Sequence, residues 1–233
     1  MPDEIVPGLI PVAPPEPLDR QARERARTGL TVGGLAFLGF LALFAAVKAE
    51  RSERIDMAIT LRLQARRHRW LGRLMEACSW PGFPPQSRVI PPLIIAGLAL
   101  SNHRTEAAFQ GLAWCTGGLS EVLKSMMRRQ RPLPEQVRVV VAPLGGSSFP
   151  SGHVLTYMGT YGFAAYLAYT LIGSPAVRWP VVLLLLAMLA GVGPSRIYQG
   201  HHWPTDVAAS YLLGICYLIV LEAAYRRLRA PDR

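Results

Sequence analysis

Residues 29–47 read GLTVGGLAFLGFLALFAAV, nineteen residues without a charge. At ~1.5 Å rise per residue, a helix of that length reaches roughly 28 Å, close to the ~30 Å hydrocarbon core of a bilayer. Arg20, Arg23, Arg25 and Arg27 stand just before it, as at a helix end that meets water. Five further apolar stretches follow. Residues 89–101 are short for a span, so the helix is expected to begin near Pro85, with Arg88 snorkelling to the interface. Residues 107–127 are apolar in their first half and polar in their second. Residues 154–173 and 179–193 carry no charge, and residues 207–221 precede Arg226, Arg227 and Arg229. The expectation is an all-α polytopic membrane protein, a six-transmembrane-helix bundle in which frequent Gly and Ala allow close helix approach.

Six spans put both termini on one side, and the arginines flanking the first and last helices favour the cytoplasm for both. The loops 128–152 and 194–206 then share the outer side, as does the loop after the first helix despite its arginines. Residues 1–28 read as a Pro/Arg-rich tail ahead of a single membrane domain at 29–229. Six prolines within residues 1–20 suit an irregular chain, and Asp3 and Glu4 stand where a secretory leader needs positive charge. Residues 48–76 interleave Arg51, Arg54, Arg62, Arg66, Arg67, Arg69 and Arg73 with Ile55, Ile59, Leu63, Trp70, Leu71 and Leu74. An amphipathic interfacial segment anchored by Trp70 and a solvated charged helix both fit, and neither supplies chemistry.

Apolar residues make up 51% of the chain and charged residues 17%, segregated into alternating blocks. That segregation makes a bilayer and an anionic substrate a simpler account of the net charge of +10 than nucleic acid, which is not expected as a partner. Three cysteines at long spacings, Cys78, Cys115 and Cys216, form neither a disulfide framework nor a zinc site. Nothing in the sequence sets the oligomeric state.

Chemistry-bearing residues concentrate near two loops. Lys124 and Arg131 lie seven apart, close to two helical turns, so a helix would project both from one face, with Pro132 ending it. A basic juxtamembrane cluster with Arg128 and Arg129 is the plainer reading. Lys124, however, falls where the span still buries residues, and ionisable groups at that depth are functional candidates. Pro150-Ser151-Gly152-His153 precedes the fourth span. The helix N-terminus offers unpaired N–H groups and partial positive charge, Gly152 lets backbone approach a ligand, and Ser151 adds a hydroxyl. A simple cap would explain all of these but His153. Ser195-Arg196 is followed by His202 and Asp206, four residues apart. Asp206 in the first turn of the last helix can accept from one imidazole nitrogen of His202 and leave the other free to attack. His201 has the wrong spacing and reads as a supporting residue. Glu121, three residues before Lys124, is within reach of it.

Taken together, these groups resemble the type-2 phosphatidic-acid phosphatase superfamily, the lipid phosphate phosphatases. The pattern Lys-x6-Arg-Pro, Pro-Ser-Gly-His and Ser-Arg-x5-His-x3-Asp is present in order and in full, at Lys124, Arg131 and Pro132, at 150–153, and at Ser195, Arg196, His202 and Asp206. The resemblance covers roughly residues 29–229. It implies a lipid phosphate substrate, with His202 attacking phosphorus to form a phosphohistidine. Asp206 would orient His202, and His153 would protonate the leaving group and then activate water. Lys124, Arg131, Arg196, Ser151 and Gly152 would hold the phosphoryl oxygens. Three cations on one phosphate make metal unnecessary, and no cofactor is expected. Expected surroundings are a bacterial inner membrane with the site facing outward. A lipid-linked phosphotransferase would share the same intermediate, a vanadium-dependent haloperoxidase a similar pocket, and an inactive membrane scaffold or transport protein the same helices.

Overall fold

The computed structural model describes residues 18–140 and 145–229. Among them are nine α-helices and no strand: α1 (Leu18–Lys48), α2 (Glu53–Gln64), α3 (Arg69–Ser79), α4 (Gln86–Leu100), α5 (Arg104–Trp114), α6 (Thr116–Met127), α7 (Gly152–Leu171), α8 (Pro175–Tyr198) and α9 (Pro204–Arg229). Residues 1–17 of the expected tail lie outside the described residues, whereas 18–28 form the first turns of α1. Three helices among the described residues are long and apolar enough to cross a membrane: Arg23–Lys48 of α1, α8 and α9. The apolar α4 is shorter.

α7 forms the centre, packed against α5, α6, α8 and α9. Val154, Tyr157, Met158, Tyr161, Phe163 and Leu167 are buried around its circumference. They join Val192, Ile197 and Val207 in one core cluster and Phe109, Leu221 and Tyr225 in another. α1 lies along α9, α4 along α5, and α3 along α8. The apolar faces left outside include Leu30, Leu35 and Leu38 of α1 and Leu183 and Leu184 of α8. That is the pattern of a bundle whose solvent is hydrocarbon. Near one end, buried Glu106 of α5 accepts from Tyr225 (2.7 Å) and Arg229 of α9. The ends of α6 and α8 meet the starts of α7 and α9 at the other.

One apolar stretch of the sequence reading is not a single helix. The stretch 107–127 is broken into α5 and α6 at Cys115, whose N–H is shared between the carbonyls of Gly111 (3.2 Å) and Leu112 (3.0 Å). Gly117 and Gly118 weaken helix propensity just beyond the break. Gly159 of α7 then seats so closely on α5 that a Cβ there would lie 2.1 Å from the Ala113 carbonyl oxygen. In α2 the buried face is the polar one, with Ser52, just ahead of the helix, and Asp56, Thr60 and Gln64 recurring every fourth residue. Ile55 and Ile59 point outward, and only Leu63 of that apolar set packs on the core.

Candidate active site

Where α6, α7, α8 and α9 converge, a cavity of about 480 Å³ is lined by Lys124, Arg131, Gly152, His153, Arg196 and His202. Three different local causes bring these residues together. Lys124 comes from the last turn of α6. The helix stops at Met127, because Arg128 adopts a left-handed conformation with φ 50°. Arg131 therefore reaches the cavity from a loop and not from the face of a continued helix. Its guanidinium is fixed by carbonyls, donating to His201 (2.8 Å), Ser147 (3.2 Å) and Gly145 (3.2 Å). Burial lowers its pKa from the ordinary value, opposed by the Asp206 and Glu121 carboxylates.

Ser151 and Gly152 begin α7. Ser151 N–H donates to Ser210 Oγ (2.8 Å), but its own buried hydroxyl has no partner among the described residues. At Gly152 a Cβ would sit 3.3 Å from Lys124 Nζ and from Ser120 Oγ, so the missing side chain makes room for the lysine. Lys124 Nζ donates to exposed Glu121 at 2.7 Å. His153 Nε2 is buried without a partner, and its ring meets the edge of Phe83 at 4.7 Å.

Arg196 belongs to the last turn of α8, which continues past Pro194 to Tyr198, where the sequence reading placed a loop. It is 1% exposed, yet carries no carboxylate partner among the described residues. Its Nη1 donates to Ser79 Oγ (3.1 Å) and Gln199 Oε1 (3.0 Å), its guanidinium lies 4.9 Å from the Phe83 ring centre, and its Nε is unpartnered. Unpartnered buried donors on Ser151, His153 and Arg196 are costly unless a polar ligand meets them.

His202 and Asp206 differ from expectation in how they are joined. His202 Nδ1 donates to the Ser148 carbonyl at 2.7 Å, whereas the nearest Asp206 oxygen is 3.8 Å away. The backbone acceptor fixes the tautomer, so Nε2 carries the lone pair, 3.3 Å from Arg131 Nη1. Asp206 acts on the ring through charge and by clamping its loop: Oδ2 accepts from Trp203 N–H (2.8 Å) and from the Ser148 hydroxyl. Burial pushes His202 down to about 4, with Arg131 and Arg196 acting in the same direction and Asp206 against it. At neutral pH the imidazole is a free base. His201 is fully buried with neither nitrogen hydrogen-bonded; burial and Arg196 push it down to about 3.

The PAP2 superfamily pattern matches residues 107–229, more than half of the chain. The protein belongs to the PAP2 superfamily. It is an integral-membrane lipid phosphatase, a hydrolase of phosphoric esters. This PAP2 chain is 28% identical over 200 residues to phosphatidylglycerophosphatase B of Bacillus subtilis, covering 83% of this chain and 94% of that one. It is 32% identical over 170 residues to decaprenylphosphoryl-5-phosphoribose phosphatase of Mycobacterium tuberculosis, covering 71% and 88%. Among solved structures, the transmembrane PAP2-type phosphatidylglycerolphosphate phosphatase from Bacillus subtilis superposes with a TM-score of 0.74 at 25% identity, covering 86% of this chain and 98% of that one. Aquifex aeolicus LpxE shares the fold, with a TM-score of 0.55 at 24% identity over 72% and 95% of the two chains.

Three residues of this PAP2 site escaped the sequence reading. The Ser148 carbonyl has no signature in residue type. Phe83 follows a Trp-Pro-Gly turn that carries no motif. Arg129 reads as one more juxtamembrane arginine.

Proposed function

We propose that this enzyme hydrolyses a phosphomonoester or diphosphate on a lipid, of the phosphatidic acid, phosphatidylglycerol phosphate or polyprenyl diphosphate class, through a phosphohistidine on His202. The observation that carries the reading is the Nδ1 bond to Ser148, which leaves the Nε2 lone pair of His202 at a cavity bearing three cations. The lone pair attacks phosphorus as the P–O bond to the lipid breaks, and His153, held as the imidazolium by the bound phosphate's negative charge, delivers its proton to the departing oxygen and becomes neutral. His153 then takes a proton from water, the resulting hydroxide attacks phosphorus, and the P–N bond breaks to release inorganic phosphate and free His202. Lys124, Arg131 and Arg196, with the Ser151 hydroxyl and the α7 N-terminal N–H groups, hold the phosphoryl oxygens as charge builds on them. With three cations in those positions the chemistry requires no metal.

The lipid part of the substrate is supported by the cavity's other wall, where Phe83, Pro91, Trp114, Tyr157 and Tyr161 continue from the phosphate end. The names of the two relatives, one acting on a phosphatidylglycerol phosphate and one on a polyprenyl-linked sugar phosphate, point to the same type of anchor. The bundle would cross the inner membrane six times, through α1, α4, α5 with α6, α7, α8 and α9. Residues 29–229 would form the membrane domain beyond the 1–28 segment, with the site on the outer face.

The test is phosphate release by purified protein in detergent with a chelator present, from phosphatidic acid, phosphatidylglycerol phosphate, a polyprenyl diphosphate and a soluble ester. The expected result is release that survives the chelator and falls at least a thousandfold in His202→Ala. Full activity in His202→Ala would overturn the mechanism, and loss with chelator would overturn its metal independence.

A further inference from the structure

Behind Asp206, on the side away from the cavity, a second buried carboxylate is tied to it by one guanidinium. Asp56 of α2 and Asp206 of α9 are both 0% exposed. Arg129 Nη1 donates to Asp206 Oδ1 at 2.5 Å, and its Nη2 donates to Asp56 Oδ2 at 2.6 Å. The same guanidinium reaches Thr205 Oγ1 (2.8 Å) and Ser52 Oγ (2.9 Å). Asp56 also receives the N–H of Thr205 (2.9 Å) and its hydroxyl (2.8 Å), and so caps the start of α9 from a different helix.

A guanidinium placed only to anchor this loop would be neutralised by one carboxylate. Burying a second one costs further desolvation, which a purely structural tie does not require. The count of charges supplies a reason. Asp56, Arg129 and Asp206 sum to −1, whereas Arg129 with Asp206 alone would sum to zero. His202 faces Arg131 at 3.3 Å, and Lys124 and Arg196 line the same cavity. When its Nε2 bonds to phosphorus while Nδ1 keeps its hydrogen, the ring gains positive charge against those cations. A residual negative charge behind the ring favours that step.

We propose that Asp56 and Arg129 are positioning residues that keep the Asp206 cluster at a net charge of −1, so that Asp206 still acts on His202 as an anion while its carboxylate is held in place. This rests on the reading of His202 as nucleophile. Neither residue lines the cavity that holds Lys124, Arg131 and Arg196, although Arg129 shares an adjoining pocket with Lys124 and Arg131; for Asp56, remote from both, the effect falls on the chemical step.

The charge count makes the idea separable from a structural tie. Asp56→Asn keeps the shape and an oxygen for Thr205 but takes the cluster to zero. Arg129→Gln takes it to −2. The double variant returns it to −1 while losing the most contacts. Ser52→Ala removes a contact to Arg129 with no change of charge. The kcat and KM of each would be measured on phosphatidic acid in mixed micelles, with Tm recorded on the same protein and His202→Ala run alongside. Asp56→Asn is expected to lower kcat about tenfold to a hundredfold with KM within about twofold, as for loss of an electrostatic contribution to a transition state. Arg129→Gln is expected to lose more, because two carboxylates left without their shared guanidinium repel and Asp206 is no longer held, Ser52→Ala less than about threefold, and the double variant, relieved of that repulsion, to regain at least about tenfold over Arg129→Gln. A double variant as poor as or worse than either single one, or a loss carried by KM, would overturn the proposal. Should Arg129→Gln fail to fold, Asp56→Asn against Ser52→Ala decides: equal losses sink it. An active His202→Ala would instead remove the nucleophile reading beneath it.

Discussion

At the residue scale, the charge state of two buried imidazoles has consequences for stability. His202 and His201 are pushed to about 4 and about 3, mainly by burial, from an ordinary value of 6.5. Between about 6.5 and 4 the unfolded chain binds these protons and the folded chain does not, so stability present at neutral pH is lost as pH falls through that window. The Tm in detergent should therefore drop between pH 7 and pH 4.5, and His201→Gln, which cannot titrate, should flatten the drop. A slope as steep in His201→Gln as in the native protein would rule out the buried, neutral His201. On the proposed mechanism Nε2 attacks as a free base, so His202 itself should not limit kcat until pH approaches 4. The residues singled out from the motifs are at or beside one cavity, His201 among them through its carbonyl to Arg131 and its ring against Phe83, because those motifs constrain side-chain type and spacing. What they could not convey was the partner of His202 Nδ1. A backbone carbonyl such as that of Ser148 is the same atom in any residue, and its position is set only when residues 145–151 fold against the start of α9.

At the element scale, hydrophobic runs placed the cores of the helices correctly and misjudged what lies at their ends. Residues 154–173 became α7 almost to the residue, and Pro85 marked the start of α4. The end of α6 was not legible, since nothing in Arg128 announces a left-handed residue, a conformation uncommon outside Gly, Asn and Asp. The buried face of α2 is polar for a physical reason: beside lipid the apolar Ile55 and Ile59 can face outward and the polar Asp56 and Gln64 inward. Gln64 shows what that inward face does: its amide donates to the Arg138 and Tyr198 carbonyls (2.8 and 3.0 Å) and accepts from Arg138 N–H (2.9 Å). The same close packing gives a prediction for α7. A side chain at Gly159 would strike the Ala113 carbonyl, a backbone atom that cannot turn aside. Gly159→Ala should destabilise by about 1–3 kcal/mol, the usual range for overpacking. Gly34→Ala in α1, where nothing lies within 4 Å, should be neutral or stabilising by up to about 1 kcal/mol through helix propensity. Thermal melting of the two variants side by side checks this; equal Tm values would mean that α5 and α7 are not held at backbone contact.

For the whole molecule, the arrangement of ends supports an odd-even logic that length and hydropathy alone do not deliver. Only α1, α8 and α9 meet the length and hydropathy of a membrane crossing among the described residues. The central α7 is too rich in Gly, Tyr and Thr to look like a lipid-exposed span, because its neighbours shield it on all sides and lipid never selects its surface. The α5 and α6 pair is divided by the break at Cys115. Yet Glu106, at the start of α5, bonds to Tyr225 and Arg229 at the end of α9, while Lys124, at the end of α6, meets Gly152 at the start of α7. α5 with α6 therefore runs the full height of the bundle, antiparallel to α7 and α9, and on the proposed topology counts as one crossing of six. On that proposed topology Glu135, in the loop between α6 and α7, and Arg227, in the last turn of α9, lie on opposite sides of the membrane. With Cys78, Cys115 and Cys216 replaced by Ser or Ala, Glu135→Cys should react with a membrane-impermeant maleimide in cells whose outer barrier is opened. Arg227→Cys should react only after the inner membrane is permeabilised. Labelling of both positions from the same side would remove the six-crossing topology. The reverse pattern would keep the six crossings and turn the active site toward the cytoplasm, where the substrate would have to be a lipid of the inner leaflet.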